Sequence, residues 1–296
     1  MSPRPSAPLV ESAPAKVNLT LRVFGRRSDG YHEIESLVAF AQFGDRLSFS
    51  PGKGLTLAVD GPTAAKAGDT DSNLVLKAGR EMAARRNGLT LGAFHLDKHL
   101  PVAAGLGGGS ADAGAALRLL ARANELALDD PQLCAAARAT GADVPVCVDP
   151  RPRIMRGIGD ILSEPLSLPP LPAVLANPGV PVATKEVFAG LASVSTSSPP
   201  ADYAEPANIS THDGLLHFLG AQPNDLERPA IGLTPVIADV LSELGALAGC
   251  RLARMSGSGA TCFGLFPTAS AAAEAGQALS AEHPQWWIRA TMLGGA

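Results

Sequence analysis

The segment Pro101-Val102-Ala103-Ala104-Gly105-Leu106-Gly107-Gly108-Gly109-Ser110-Ala111-Asp112-Ala113 places four glycines among the five residues 105–109 and runs at once into a helical pattern. Leu117, Leu120, Ala121 and Asn124 fall on one face of that pattern, Arg118 and Arg122 on another. This is a flexible loop entering a helix N-terminus. Glycine lets a backbone approach a ligand and take positive φ, and the first-turn N–H groups have no intrahelical partner and carry partial positive charge. An anion, most often a phosphate, fits there.

A glycine-rich turn that only lets a strand and a helix pack closely looks the same, because short glycine motifs match by chance. Two named phosphate loops fail on spacing. A Walker A loop needs Lys after its last glycine, where this chain has Ser110. A dinucleotide fingerprint begun at Gly105 needs Gly or Ala five residues on, again the position of Ser110.

The 296 residues suffice for two domains, and 46% hydrophobic with 18% charged residues is a soluble globular composition. A net charge of −4 argues against a nucleic-acid or membrane-surface protein, which would carry a basic stripe. Local positive groups must then hold any anionic ligand. Cys134, Cys147, Cys250 and Cys262 are too widely spaced for a zinc motif and read as thiols of a reducing cytosol. The first ten residues are proline-rich without an apolar core, and no apolar run reaches the ~20 residues of a membrane span. The expected location is cytoplasmic, as a monomer or homodimer.

Along the chain, residues 17–24 alternate, with Val17, Leu19, Leu21 and Val23 opposite Asn18, Thr20 and Arg22, which predicts a half-buried strand with Lys16 and Asn18 on its polar side. A polar turn at Arg26–Glu33, centred on Asp29-Gly30, leads into an apolar segment ending near Phe43. Strands are expected at 47–49, 55–59 and 89–96, and a helix capped by Asp71 or Ser72 runs to about Arg86. Pro131 opens a helix that stops at Gly141, and Ala142-Asp143-Val144-Pro145 bends into a strand at 146–148. Residues 193–202 read as a surface loop, and the remainder as helix 235–247, strand 251–255, strand 261–266, helix 268–281 and strand 286–292. That order predicts a layered α+β domain with an antiparallel sheet.

Several residues could carry chemistry, and each has a plainer role. Asp143 in its bend is solvated, paired or functional, and a helix-terminal turn residue occupies the same place. Lys16 beside Asn18 serves equally as a strand-edge lysine. Tyr31-His32 could simply pack the turn. Ser256-Gly257-Ser258-Gly259 is a hairpin turn that also offers several N–H groups to an anion.

Together these pieces resemble the GHMP kinases. Pro101 to Ala111, Ala15-Lys16-Val17-Asn18-Leu19 and Met255-Ser256-Gly257-Ser258-Gly259-Ala260 are similar to the three motifs of that family, in the same order. Arg26 to Glu33, Gly141 to Pro145, Gly157-x-Gly159-Asp160, Thr184 to Phe188 and Asn224-Asp225-Leu226-Glu227 resemble the branch acting on a cytidine diphosphate ester of methylerythritol. The likeness spans residues 13 to 293.

The resemblance implies an α+β, two-domain GHMP kinase fold: an N-terminal domain of the ribosomal-protein-S5-domain-2-like type over 13–160, a ferredoxin-like C-terminal domain over 161–296, and the active site in the cleft between them. Residues 1–12 would be a disordered tail. It further implies ATP-dependent phosphorylation of the 2-hydroxyl of the methylerythritol moiety in the non-mevalonate route to isoprenoids. Asp143 would be the general base, with Lys16 beside it holding the carboxylate ionised. A carboxylate of ordinary pKa, about 4, is a weak base, so positioning must do most of the work.

ATP would be bound by Lys98 near the adenine and by Pro101, Ala104, Gly105, Leu106, Gly107, Gly108, Gly109, Ser110 and Ala111. Tyr31 and Phe188 would flank the cytosine and His32 would bond its polar edge, while Asn18 and Thr184, with Asp143, would lie along the rest of the substrate. Magnesium is expected with ATP, held by phosphates, water and Ser110, because no glutamate ligand is apparent. Two other readings stand beside this one: a GHMP kinase for another small alcohol, and a catalytically silent nucleotide binder.

Overall fold

The computed structural model describes residues 7–68, 70–191 and 208–294, so the loop expected at 193–202 lies outside the described residues. In chain order the first part runs β1 (Leu9–Asn18), β2 (Arg22–Arg26), β3 (His32–Gly52), β4 (Thr56–Asp60), α1 (Leu74–Arg85), β5 (Leu91–Asp97), α2 (Gly108–Ala123), α3 (Pro131–Thr140) and α4 (Val144–Val148). There follow β6 (Arg153–Gly157), β7 (Ile161–Leu162), β8 (Leu171–Asn177), α5 (Thr184–Ala189), α6 (His212–Ala221), α7 (Glu227–Leu233), α8 (Val236–Ala246), β9 (Leu252–Met255), β10 (Cys262–Leu265), α9 (Ala269–Glu282) and β11 (Trp287–Leu293). No helix among the described residues is long and apolar enough to cross a membrane.

By contact the chain forms two compact units, each assembled from separated pieces rather than from the consecutive domains 13–160 and 161–296. Unit 1 comprises Met1–Ala15, Gly44–Val102 and Gly107–Pro150; unit 2 comprises Lys16–Phe43, Ala103–Leu106 and Arg151–Ala296. The glycine loop is therefore shared, with its first residues in unit 2 and its last in unit 1. Residues 9–12, expected in a disordered tail, belong to β1.

In unit 1, β5 lies between the second half of β3, antiparallel with Phe49 opposite Phe94, and β4, parallel with Leu57 opposite Phe94. Phe49 and Phe94 also meet ring to ring, their centroids 4.8 Å apart and their planes tilted by 42°. The cap of α1 is Asn73, whose side chain accepts from the Val75 N–H, not Asp71 or Ser72. Helix α2 is buried on nearly every side from Ala111 to Ala121. Its small residues permit this, since a Cβ on Gly114 would fall on the Cys147 carbonyl of α4. Arg118 is likewise buried: it pairs with Glu11 at 3.0 Å and donates to the Cys147 carbonyl at 2.7 Å.

Unit 2 is built on β8, buried along its whole length. β10 and β11 flank it antiparallel and β9 pairs antiparallel with β10, as the expected antiparallel sheet requires. Val174, Ala176, Ile237, Val240, Leu244, Leu279 and Ile288 form its core with α8 and α9. The first half of β3 pairs with β2 and β6.

Two local expectations change. The strand expected at 17–24 is two strands, β1 ending at Asn18 and β2 starting at Arg22, and its polar side is buried, with Lys16, Asn18 and Thr20 at 3%, 3% and 4% exposure. Hydrogen bonds replace solvent there: Asn18 Nδ2 donates to Ser36 Oγ at 2.7 Å and Thr20 Oγ1 accepts from the Leu37 N–H at 3.0 Å. Residues 144–148 form the single-turn helix α4 instead of a strand.

Candidate active site

In unit 2 the turn Ser256–Gly259 is a hub. Ser256 Oγ accepts from the Asn18 N–H at 3.1 Å and donates to the Gly105 carbonyl at 2.8 Å. The Lys16 N–H reaches the Leu106 carbonyl at 2.9 Å, and the Thr261 N–H the Ala104 carbonyl at 3.1 Å. The start of the glycine loop is thus sewn between the end of β1 and this turn. Lys16 and Asn18, two apart on a strand, point to the same side of it. Thr184, at the start of α5, shares a 2.8 Å hydroxyl–hydroxyl bond with Ser258. Lys16, Asn18, Ala104, Gly105, Leu106 and Thr184 consequently gather around one turn, and Ser256 and Ser258 join them.

The aromatic residues form a second feature of unit 2. Phe188 stacks on His32, with centroids 4.9 Å apart and planes at 26°. Tyr31 beside them is 59% exposed, and its N–H donates to Asp29 Oδ1 at 3.1 Å. Burial, with the Arg26 charge, holds the His32 imidazole below its ordinary value. At neutral pH the ring is therefore uncharged and offers one N–H donor and one acceptor nitrogen.

In unit 1, α2 begins after Gly107, whose φ of 60° is left-handed and which supplies no side-chain cap. The first-turn N–H groups around Gly108, Gly109 and Ser110 thus receive no side-chain acceptor from the cap residue, an arrangement that suits an anion. Ala111 completes the turn by donating its N–H to the Gly107 carbonyl at 2.8 Å. Pro101 is half-buried ahead of the loop, and Asp143 occupies the cap position of α4.

Lys98, expected near the adenine, has its ammonium buried between two carboxylates: it pairs with Asp45 and, at 2.6 Å, with Asp112. Asp45 also accepts from the Leu100 N–H at 2.7 Å. A Cβ on Gly108 would lie 3.3 Å from Lys98 Nζ, so this cluster lies against the first turn of α2. Burial works against the Lys98 charge, but the two carboxylates outweigh it and its pKa rises. Burial pushes the Asp112 carboxyl up to about 8, the Lys98 ammonium pulling it down and Asp45 pushing it further up. Asp112 Oδ1 is buried without a hydrogen-bond partner.

A carboxyl raised from 3.8 to about 8 holds a proton in the folded chain that the unfolded chain has released. Its contribution to stability therefore falls as pH rises between those two values. Asp112→Asn is expected to remove that slope, so its melting temperature relative to wild type should climb from pH 4 to about pH 8 and then level off. Parallel melting curves over that range would rule the shift out.

The chain matches the GHMP kinases N terminal domain over residues 73–149 and the GHMP kinases C terminal domain over 208–285. It is 58% identical to the 4-diphosphocytidyl-2-C-methyl-D-erythritol kinase of Methylobacterium radiotolerans, covering 96% of this chain and 99% of that relative. The chain belongs to the GHMP kinases. The same kinase of Rhodopseudomonas palustris is 55% identical over 96% of this chain and 97% of its own length. A crystal structure of 4-(cytidine 5'-diphospho)-2C-methyl-D-erythritol kinase superposes with a TM-score of 0.76 at 35% identity, covering 97% of this chain and all of that one. Homoserine kinase from Cytophaga hutchinsonii shares the fold at a TM-score of 0.70 and 20% identity.

The N-terminal GHMP kinase match starts at the Asn73 cap of α1 and takes in the glycine loop and Asp143; the C-terminal match takes in Asn224 and the 256–259 turn. Lys16, Asn18, Tyr31, His32, Thr184 and Phe188 lie outside both and are covered by the full-length relatives. As for a metal in this GHMP kinase, Asp45 and Asp112, the acids against the first turn of α2, are engaged by Lys98. The His, Cys, Asp and Glu side chains close enough to share an ion, among the described residues, are Glu243, Glu282 and His283 on α8 and at the end of α9. Ser110 remains as an oxygen donor at the loop, which fits an ion carried chiefly by the nucleotide's phosphates.

Proposed function

We propose that the protein transfers the γ-phosphoryl group of ATP to the 2-hydroxyl of 4-diphosphocytidyl-2-C-methyl-D-erythritol, giving the 2-phosphate and ADP in the non-mevalonate route to isoprenoid precursors. The agreement with relatives bearing that kinase name, 58% identity over 96% of the chain, carries this reading. The left-handed Gly107 ahead of the uncapped first turn of α2 supports it physically.

Phosphoryl transfer is mostly positioning and stabilisation of charge on the equatorial oxygens, so a bed of main-chain donors is the part it most needs. The N–H groups of the loop from Ala104 to Ser110 hold the triphosphate, with Pro101 and Ala111 at its two ends, and Lys98, paired with Asp112, lies against the first turn of α2. Asp143 accepts the proton of the 2-hydroxyl as that oxygen bonds to the γ-phosphorus and ADP departs. Lys16 offsets negative charge on the attacking oxygen. Magnesium, when bound with ATP, neutralises phosphate charge, with Ser110 as its protein oxygen. His32 and Phe188 receive the cytosine, the uncharged imidazole matching its donor and acceptor edge, with Tyr31 beside them and Asn18 and Thr184 along the phosphate and polyol.

The test is ADP release by purified protein with ATP, magnesium and either the cytidylyl substrate or its uncytidylylated precursor. Stacking and hydrogen bonding of the base together predict a preference of about 100-fold or more in kcat/KM for the cytidylyl compound. Equal turnover of the two would remove the cytosine site, and no ADP with either would remove the kinase.

A further inference from the structure

The hub turn is held from behind by a residue that makes none of the contacts assigned above. Asn224 is 5% exposed, and its Nδ2 donates to the carbonyls of Met255 and Gly257, both at 2.8 Å. Its Oδ1 accepts from the Leu226 N–H at 3.0 Å. Both amide hydrogens and the carbonyl oxygen are thus committed, which is how a buried asparagine avoids the cost of unpaired polar atoms. The segment carrying it is itself fixed: the Leu21 N–H reaches the Pro223 carbonyl at 3.1 Å, the Asp225 N–H the Leu21 carbonyl at 2.8 Å, and Asp225 Oδ2 accepts from the Val23 N–H at 2.8 Å. Glu227 accepts from the Met255 N–H at 2.9 Å.

Asn224 therefore bridges the two carbonyls that bracket Ser256. That serine is bonded to Asn18 on one side and Gly105 on the other, and the next serine of the turn, Ser258, is bonded to Thr184. A Cβ on Gly257 would lie 3.2 Å from the Gly105 carbonyl and 3.3 Å from Asn18 Oδ1, so little free space separates these groups. A shift of the turn moves the glycine loop and the acceptor residues relative to one another.

We propose that Asn224 is a positioning residue for phosphoryl transfer: it fixes the Ser256–Gly259 turn, which sets Gly105 of the donor loop against Asn18 and Thr184 of the acceptor side. The inference rests on the function proposed above. Misplacing reacting groups by an ångström costs turnover more than binding, and a loosened acceptor lets water take its place. The water oxygen then bonds to the γ-phosphorus, its proton passes to solvent, and ADP and inorganic phosphate result.

The experiment measures ADP and the phosphorylated alcohol together, with the full chain, ATP, magnesium and the cytidylyl substrate. Wild type is expected to form one phosphoester per ADP. Asn224→Ala, with circular dichroism and melting used to count folded protein, is expected to lose about tenfold or more in kcat with little change in either KM, and to release more than one ADP per phosphoester. Asn224→Ser, which keeps an acceptor for the Leu226 N–H, carries the same test should the alanine variant fail to fold. Thr268→Ala removes the cap of α9, where Thr268 Oγ1 accepts from the Ala271 N–H at 3.1 Å, weakens the fold without removing a bond to the turn, and is expected to stay coupled. Loss of activity with the ratio still at one, or the same excess of ADP in Thr268→Ala, would overturn the assignment. Absence of phosphoester with wild type would instead overturn the kinase reading itself.

Discussion

Asp143→Asn is expected to lower turnover at least ~100-fold while leaving nucleotide affinity unchanged. Asparagine has the shape of aspartate but cannot take the hydroxyl proton, so the loss falls on the chemical step. Asp143 stands at the cap position of α4 but makes no side-chain bond to the helix N–H groups, and α4 is held by the buried Val144, Val146 and Cys147. The Cys147 carbonyl of that helix is also tied to Arg118 at 2.7 Å. Calorimetric titration with ADP should therefore give the wild-type affinity. Near-normal turnover would mean that another group takes the proton.

Regular elements with a clean period were readable from sequence to within about two residues. Helix α9 and strands β9, β10 and β11 fall where alternation and helical spacing put them, because each turns one face to the β8 core. The errors have tertiary causes. Val144-Pro145-Val146-Cys147-Val148 has the β-branched composition of a strand but winds into one helical turn, since the missing side chain at Gly114 leaves room for the Cys147 carbonyl against α2. In the first strand, the polar residues on the outer face of the alternation are not solvated but bonded to Ser36 and to the backbone of Leu37, partners on another strand.

The candidate site divides in the same way. The glycines of the loop, the Lys16-Val17-Asn18 triplet and the Ser256–Gly259 turn announce themselves by composition, and that they meet through Ser256 could not be read from residues 238 apart. Lys98 stood out as a charge before the loop. Its partners Asp45 and Asp112 lie 53 and 14 residues away, so the ion cluster that sets its role was invisible. A signal for Asp112 existed, as an acid within a run of alanine and glycine that the helix buries on all sides. Asn224 was legible only as part of the Asn224–Glu227 resemblance; its hold on the turn was not, because its partners are backbone carbonyls 31 and 33 residues away.

Gly105→Ala should be among the most damaging single-methyl substitutions in the chain, and Gly54→Ala isolates the reason. Both glycines have left-handed φ, 77° at Gly105 and 76° at Gly54, so each alanine incurs a similar backbone strain of about 1–2 kcal/mol. At Gly54 the added methyl meets nothing within 4 Å. At Gly105 it falls on the Ser256 carbonyl oxygen, with Gly259 N and O each 3.0 Å away, and all three are backbone atoms that no rotamer change can move. Overpacking of this kind adds about 1–3 kcal/mol. Relief requires the loop and the turn to part, which breaks the Ser256–Gly105 bond and with it the link to Asn18. Melting should fall by a few degrees for Gly54→Ala, with activity kept, and by at least twice as much for Gly105→Ala, with phosphoryl transfer down about 100-fold or more. Equal melting shifts and equal activities for the two would show that the turn does not bear on the loop.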